Sequence, residues 1–95
     1  MTIENLYYLR ARVEGAVASG PVAADFYLIA EDGPTAGAWA HDICTSRGWT
    51  FSSYLALAQT LEAEGLGGEA AEAARAARAN GYAVVLLPLD AGEDE

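Results

Sequence analysis

Residues 25–30 read Asp-Phe-Tyr-Leu-Ile-Ala, and this stretch decides the fold that the sequence predicts. Aromatic and branched side chains are the ones that β-strands favour. The next four residues, Glu-Asp-Gly-Pro at 31–34, are typical of a turn and end the run. The stretch therefore predicts a β-strand that closes at residue 30.

The segment before this strand alternates between two kinds of side chain. In residues 5–14 the odd positions from 7 to 13 are apolar or aromatic, whereas the even positions carry Tyr8, Arg10, Arg12 and Glu14. Such alternation is typical of a half-buried strand. The alternative is an N-terminal helix, but that helix would place Arg10 on its apolar face and a glycine in its body. We therefore predict a strand that pairs antiparallel with residues 25–30 through a turn near residue 20.

Three helices are predicted after residue 30, because start and stop signals follow one another in the sequence. The first opens at residues 32–34, where Pro34 suits the first turn, and ends at Arg47-Gly48. The second begins at Thr50 as N-cap and stops near residue 65, and the third runs from about residue 69 to 80 with a glycine cap at 81. The residues of the second helix expected to face the core are Phe51, Tyr54, Leu55, Ala58 and Leu61.

The last element completes a sheet. Residues 82–87 read Tyr-Ala-Val-Val-Leu-Leu, an uninterrupted apolar run that predicts a central strand covered on both faces. The order ββαααβ is that of an α+β domain, with a three-stranded sheet and about three helices on one face. The alternative is a mostly helical fold with an N-terminal helix. Residues 1–89 are expected to form one domain, and the acidic residues 90–95 a disordered tail.

The chain is strongly acidic, which restricts its partners. Its formal charge is −9, from 14 acidic residues against five basic ones, and all five bases are arginine. So negative a surface repels phosphate backbones, which disfavours direct binding of nucleic acid. The charge predicts a basic protein or a nucleoprotein complex as the partner. The alternative origin of the acidity is the composition of the host genome or adaptation to its solvent.

Composition also bears on location and metal binding. No apolar run approaches the roughly 20 residues that cross a bilayer, and Glu4 stands where a signal peptide would be basic. We therefore expect a cytoplasmic protein without membrane attachment. A single cysteine, Cys44, excludes an internal disulfide, and with one histidine it is too few ligands for structural zinc.

The pair His41 and Cys44 is the sharpest catalytic candidate. Residues three apart on a helix are neighbours, so His41 is in position to draw a proton from the Cys44 thiol. The sequence supplies no oxyanion hole or third orienting group, and free cysteine behaves as a small buried apolar residue. We therefore predict no enzymatic activity and no cofactor, and a small enzyme using Cys44 is the least favoured alternative.

The remaining features favour a protein that works by binding. Tyrosine beside arginine is a composition that protein interfaces favour, and carboxylates on a helix present negative charge to a basic partner. The most concrete prediction is an inhibitor that blocks the nucleic-acid-binding groove of its partner, its carboxylates standing where phosphates would stand. The alternative is a small adaptor or a homo-oligomeric subunit that forms a symmetric dimer. The predicted partner-binding residues are Glu62, Glu64, Glu69, Glu72, Tyr8, Arg10 and Arg12.

In size and charge the chain is similar to the small acidic inhibitors that phages use against host defence complexes, including some anti-CRISPR and anti-restriction proteins. This resemblance implies a nucleic-acid mimic. It includes no residue motif, and no site residue is carried over from it.

Overall fold

Six elements make up the computed structural model of this chain, which describes residues 5–17, 20–60 and 67–87. They are β1 (Asn5–Val17), β2 (Gly20–Ala30), α1 (Gly33–Ser46), β3 (Thr50–Thr60), α2 (Gly68–Asn80) and β4 (Tyr82–Leu87). The four strands form one antiparallel sheet in the order β3-β1-β2-β4. The α+β class is therefore confirmed, and so is the strand at the N-terminus in place of a helix.

The central hairpin of β1 and β2 follows the alternation in the sequence. Its pairing runs from Asn5 opposite Ala30 to Val13 opposite Val22. One face of the hairpin packs against α1, with Leu9 and Phe26 fully buried. The opposite face packs against α2. The hairpin is thus buried on both sides, because β2 carries large apolar side chains at consecutive positions 26–29.

The helices lie on opposite faces of the sheet, and the expectation that they share one face is wrong. On one face, α1 buries Ala36, Ala40 and Ile43 against the sheet. On the other, α2 contributes a face of small residues, and the members of that second cluster are Leu6, Tyr27, Ala73, Ala74 and Ala77. Alanine permits close approach of a helix to a sheet, so each face needs only one helix.

The strand β3 corrects the sequence analysis most, because a helix was expected from Thr50. It pairs antiparallel with β1, from Glu14 opposite Thr50 to Tyr7 opposite Thr60. The residues 55–59, Leu-Ala-Leu-Ala-Gln, favour a helix locally. Pairing nevertheless satisfies the backbone groups on the outer side of β1, which a helix would leave without partners. The sheet therefore has four strands, and the described residues contain two helices instead of about three.

The strand β4 is a second correction, since the sequence analysis placed it centrally. Among the described strands it pairs only with β2, and it lies at the edge of the sheet. Its faces are nevertheless packed: Tyr82 and Val84 join the cluster at α1, and Ala83 and Val85 join the one at α2. The uninterrupted apolar run at 82–87 therefore indicates that both faces of the strand are packed, and not that both of its edges are paired.

The helix ends agree with their sequence signals. The Asp32 side chain accepts a hydrogen bond from the Thr35 amide at 2.8 Å and caps α1. At the other end, the amides of Gly48 and Trp49 donate to the carbonyls of residues 45 and 44, which is the Schellman arrangement. Gly81 ends α2 at a φ of 95°. Neither helix in the described part of the chain is long and apolar enough to cross a membrane.

Candidate protein-binding surface

Three large apolar side chains of β3 are exposed. Tyr54 and Leu55 are each 40% exposed, and Leu57 is 71% exposed. β3 forms one edge of the sheet, so these side chains lie at the border of the molecule rather than within a layer. Apolar side chains exposed along one edge of a sheet are candidates for an interaction surface. We call Tyr54, Leu55 and Leu57 the β3 strip.

An aromatic cluster adjoins the β3 strip. The ring of His41, exposed on α1, stacks on Phe51 with centroids 3.9 Å apart and an interplanar angle of 24°. Tyr54 meets Phe51 edge-on at 5.0 Å. Gly37 makes room for this arrangement, because a Cβ at that position would lie 2.6 Å from the Tyr54 hydroxyl oxygen. Flat rings held by one another lose little side-chain entropy when a partner covers them.

Two exposed carboxylates lie on elements that border β3. Glu14 is exposed and accepts a hydrogen bond from the Ser52 hydroxyl at 2.9 Å, near the start of β3. Asp32 is exposed at the start of α1, where the adjoining Gly33 packs near Ala58 of β3. Hydrogen bonds from Thr35 lower the pKa of Asp32 below its ordinary value of 3.8, so this carboxylate is negative at neutral pH. Negative charge therefore borders β3 near its start and near its end.

The backbone of β3 is irregular. Its register against β1 shifts between Tyr8 and Arg10, again between Arg10 and Ala11, and a third time between Arg12 and Val13. Bulges of this kind bend a strand and discourage another strand from pairing with its edge. A partner would therefore recognise β3 through its side chains rather than through its backbone.

The predicted contact residues Tyr8 and Arg10 lie in a buried polar cluster. Asp25, only 6% exposed, accepts a hydrogen bond from the Tyr8 hydroxyl at 3.1 Å. It also accepts two from Arg10, at 2.6 Å from Nε and 3.1 Å from Nη2. Burial, followed by the charge of Asp25, raises the pKa of the Tyr8 phenol above its ordinary value of 10.0. Both side chains thus hold β1 to β2, and their role in binding a partner stays a prediction, as does that of the half-buried Arg12.

The predicted acidic residues are only partly described. Glu62 and Glu64 lie outside the described residues, as does the predicted tail at 90–95, and the side chain of Glu69 is likewise not described. Glu72 is exposed on α2 and lines an open cleft of about 510 Å³ between α2 and β4. Of the four glutamates only the side chain of Glu72 is described, so a common binding surface formed by them stays a prediction.

The environment of Cys44 is that of a core residue. The thiol belongs to the cluster beneath α1 and is 1% exposed. Burial raises its pKa, and the charge of Arg47 lowers it by less. His41 meanwhile stacks on Phe51 at the surface. Among the described residues no group of three His, Cys, Asp or Glu side chains is arranged to hold a metal ion.

The residues that matter most at this surface are not among those that the sequence pattern predicts. Leu55 was expected to face the core of a helix, and Leu57 was given no role. The sequence predicts Asp25 as the first residue of a strand, and a carboxylate next to an apolar run is itself a signal that a buried cation or donor faces it. Once β3 is a strand, its 11 uncharged residues at a sheet edge indicate an interaction surface.

No protein-family model, curated protein or solved structure matches this chain. Its function must therefore be inferred from its own residues.

Proposed function

We propose that the protein is a non-enzymatic binding module that docks on a basic protein through the β3 strip and the carboxylates that border β3. One observation carries the proposal: Leu57 is 71% exposed on an edge strand of a chain whose formal charge is −9. Exposed apolar surface lowers solubility, and burial of a leucine side chain contributes about 1.5–3 kcal/mol to association.

The negative charge beside β3 restricts the partner. Glu14 of β1, Asp32 at the start of α1 and Asp42 within α1 are exposed on the elements that pack beside β3. Carboxylates at the border of an apolar contact contribute mainly to the rate of association and to the choice of partner. A partner with an apolar pocket and arginine or lysine at its border is complementary to this arrangement, and its affinity would fall as salt is added.

The concrete form of the proposal is an inhibitor that occupies a nucleic-acid-binding groove. Grooves that bind single strands combine positive charge along the backbone path with aromatic or arginine side chains on which bases stack. Stacked rings beside carboxylates offer such a groove the same two features as a nucleotide, a flat ring and a negative charge. His41, Phe51 and Tyr54 supply the rings, and the exposed Asp42, next to His41 in the sequence, supplies a carboxylate.

The test compares two leucines at opposite edges of the sheet. Tagged protein, its Leu57→Lys variant and its Leu86→Lys variant are used to capture proteins from the lysate of the native host at low salt, and the captured proteins are identified by mass spectrometry. Both substitutions add the same charge at an exposed leucine, so a difference between them reports position. We expect Leu57→Lys to weaken capture of a basic protein about 10- to 100-fold, and Leu86→Lys to leave it unchanged.

Two further readouts decide the form of the interaction. The captured protein should be released as the salt concentration rises, and the purified complex should have lost affinity for labelled single-stranded nucleic acid. Equal capture by wild type and Leu57→Lys would exclude the β3 strip as the binding surface. A complex that still binds nucleic acid with full affinity would exclude the inhibitor and leave an adaptor.

A further inference from the structure

The outer edge of β4 is the regular edge of the sheet. β4 pairs with β2 over six residues without any shift in register, whereas β3 shifts three times against β1. No strand in the described residues pairs with the other side of β4. An unbulged, unpaired edge is a template for another strand.

The backbone of β4 has its free groups at alternate residues. The amide of Ile29 donates to the carbonyl of Gly81 at 3.0 Å, so Gly81 points towards β2. Because backbone groups in an antiparallel strand alternate in direction, Tyr82, Val84 and Leu86 direct their N–H and C=O groups away from β2. These three residues are therefore available for pairing with an added strand.

The side chains of β4 tolerate a second acidic molecule. No residue of β4 carries a charge, although the chain has a formal charge of −9. Leu86 is 39% exposed at this edge, and beside the strand lies the cleft of about 510 Å³ that Ala73, Ala76 and β4 line. The exposed Glu72 lines the same cleft from α2, so it is along β4 itself that two copies bring together uncharged side chains.

The charges near the start of β4 and in the sequence that follows its end differ in sign. At its start, the guanidinium of Arg47 lies 6.0 Å from the centroid of the Tyr82 ring, and Arg78 occupies the last turn of α2. Beyond its end, residues 90–95 contain four acidic residues and no basic one. In antiparallel pairing of two identical strands, the basic start of β4 in one copy lies beside the end of β4 in the other, after which the acidic sequence follows. In parallel pairing, ends of like charge lie side by side.

We propose that β4 pairs antiparallel with β4 of a second copy of this chain, which joins the two sheets into one continuous sheet around a two-fold axis. With Val84 on the axis, Tyr82 of one copy lies opposite Leu86 of the other, and the outward backbone groups form about six hydrogen bonds. The exposed side of Leu86 is then covered by an aromatic ring. This pairing is independent of the β3 strip, which lies at the opposite edge of each sheet.

Sedimentation equilibrium over a range of concentrations tests the pairing, with the full chain and three variants. Val84→Pro removes an outward N–H that β2 does not use, and proline is tolerated at such edge positions. Leu86→Lys puts a charge opposite Tyr82, and Leu57→Lys puts the same charge on the other edge as the control. We expect a species of twice the chain mass of 9.9 kDa for wild type and Leu57→Lys, and the monomer for the other two.

Circular dichroism shows whether each variant is folded, and Leu86→Lys provides the answer if Val84→Pro does not fold. A wild-type protein that sediments as a monomer at concentrations of about 100 μM overturns the proposal, because the Kd of the pairing would then lie well above that concentration. A dimer that Leu86→Lys leaves intact also overturns it. Capture of a basic protein through β3 is a separate measurement, so failure of one proposal does not imply failure of the other.

Discussion

Removal of Arg10 should destabilise the fold more than removal of Asp25, and the two losses should not add. The Asp25 carboxylate accepts two hydrogen bonds from Arg10 and one from Tyr8, and its side chain is 8% exposed against 29% for Arg10. In Arg10→Ala the carboxylate keeps only the phenol and cannot turn to water. In Asp25→Ala the guanidinium of Arg10 lies closer to solvent and can turn to water.

The magnitudes follow from this difference in burial. Loss of one partner from a buried ion pair costs about 3–5 kcal/mol, and the partial exposure of Arg10 brings the expected cost of Arg10→Ala to about 3 kcal/mol. Asp25→Ala is expected to lower the free energy of unfolding by about 2 kcal/mol, which is the contribution of the lost hydrogen bonds to charged groups. The double variant leaves no unpaired charge, so its cost should be smaller than the sum by about 1–3 kcal/mol.

Urea unfolding measures these free energies, with the fluorescence of Trp39 and Trp49 as the signal. The slope of the free energy of unfolding against urea must be the same in all variants for the comparison to hold. Arg12→Ala is the matched control, because this half-buried arginine of the same strand forms no ion pair with the described residues. Additive losses within about 0.3 kcal/mol would refute the reasoning, and so would a larger cost for Asp25→Ala than for Arg10→Ala.

Three further predictions follow from single residues. The buried Cys44, its thiol pKa raised by burial, should react with Ellman's reagent at a rate that tracks global unfolding in urea; rapid reaction of the native protein would contradict the burial. Gly81 has a φ of 95°, and a Cβ added there would lie 3.2 Å from Trp39. Gly81→Ala should therefore lower the free energy of unfolding by more than Gly48→Ala, for which about 1 kcal/mol is expected because Gly48 has a φ of 77° and open space around it. Equal losses in the two variants would show that the Trp39 side chain moves aside. Asp32→Ala should lower the melting temperature at neutral pH. The lowered pKa of Asp32 contributes stability that is present above the ordinary pKa of 3.8 and is lost as the pH falls through the pKa of the folded state. Calorimetry should show that the difference in melting temperature from wild type disappears in acid.

The Asp32 experiment has a control in the neighbouring Glu31, which is exposed and loses the same charge in Glu31→Gln. A decrease in melting temperature of the same size for both variants would show that net charge, and not the cap at Asp32, is responsible.

The candidate surface could be predicted from the sequence only in part. The acidic charge follows from composition alone, whereas the preference for binding over catalysis, which depends on composition and on the surroundings of Cys44, stays a prediction. The positions of Leu55 and Leu57 could not be predicted, because their exposure depends on β3 being an edge strand. Arg10 was expected at a partner surface, but the cross-strand register that places it opposite Asp25 gives the guanidinium a partner within the chain.

The sequence by itself determined the hairpin of β1 and β2, both helices and the existence of β4. Each of these depends on short-range signals: alternation in residues 5–14, the cap at Asp32, and the glycines at 48 and 81, which act within a few residues along the chain. Only the tertiary structure decided that residues 50–60 form a strand, that β4 lies at the edge, and that the helices cover opposite faces. These features depend on which backbone edge of the hairpin still lacks hydrogen-bond partners and which of its faces still lacks apolar contacts. Both are set by residues that are distant in sequence from the segments concerned.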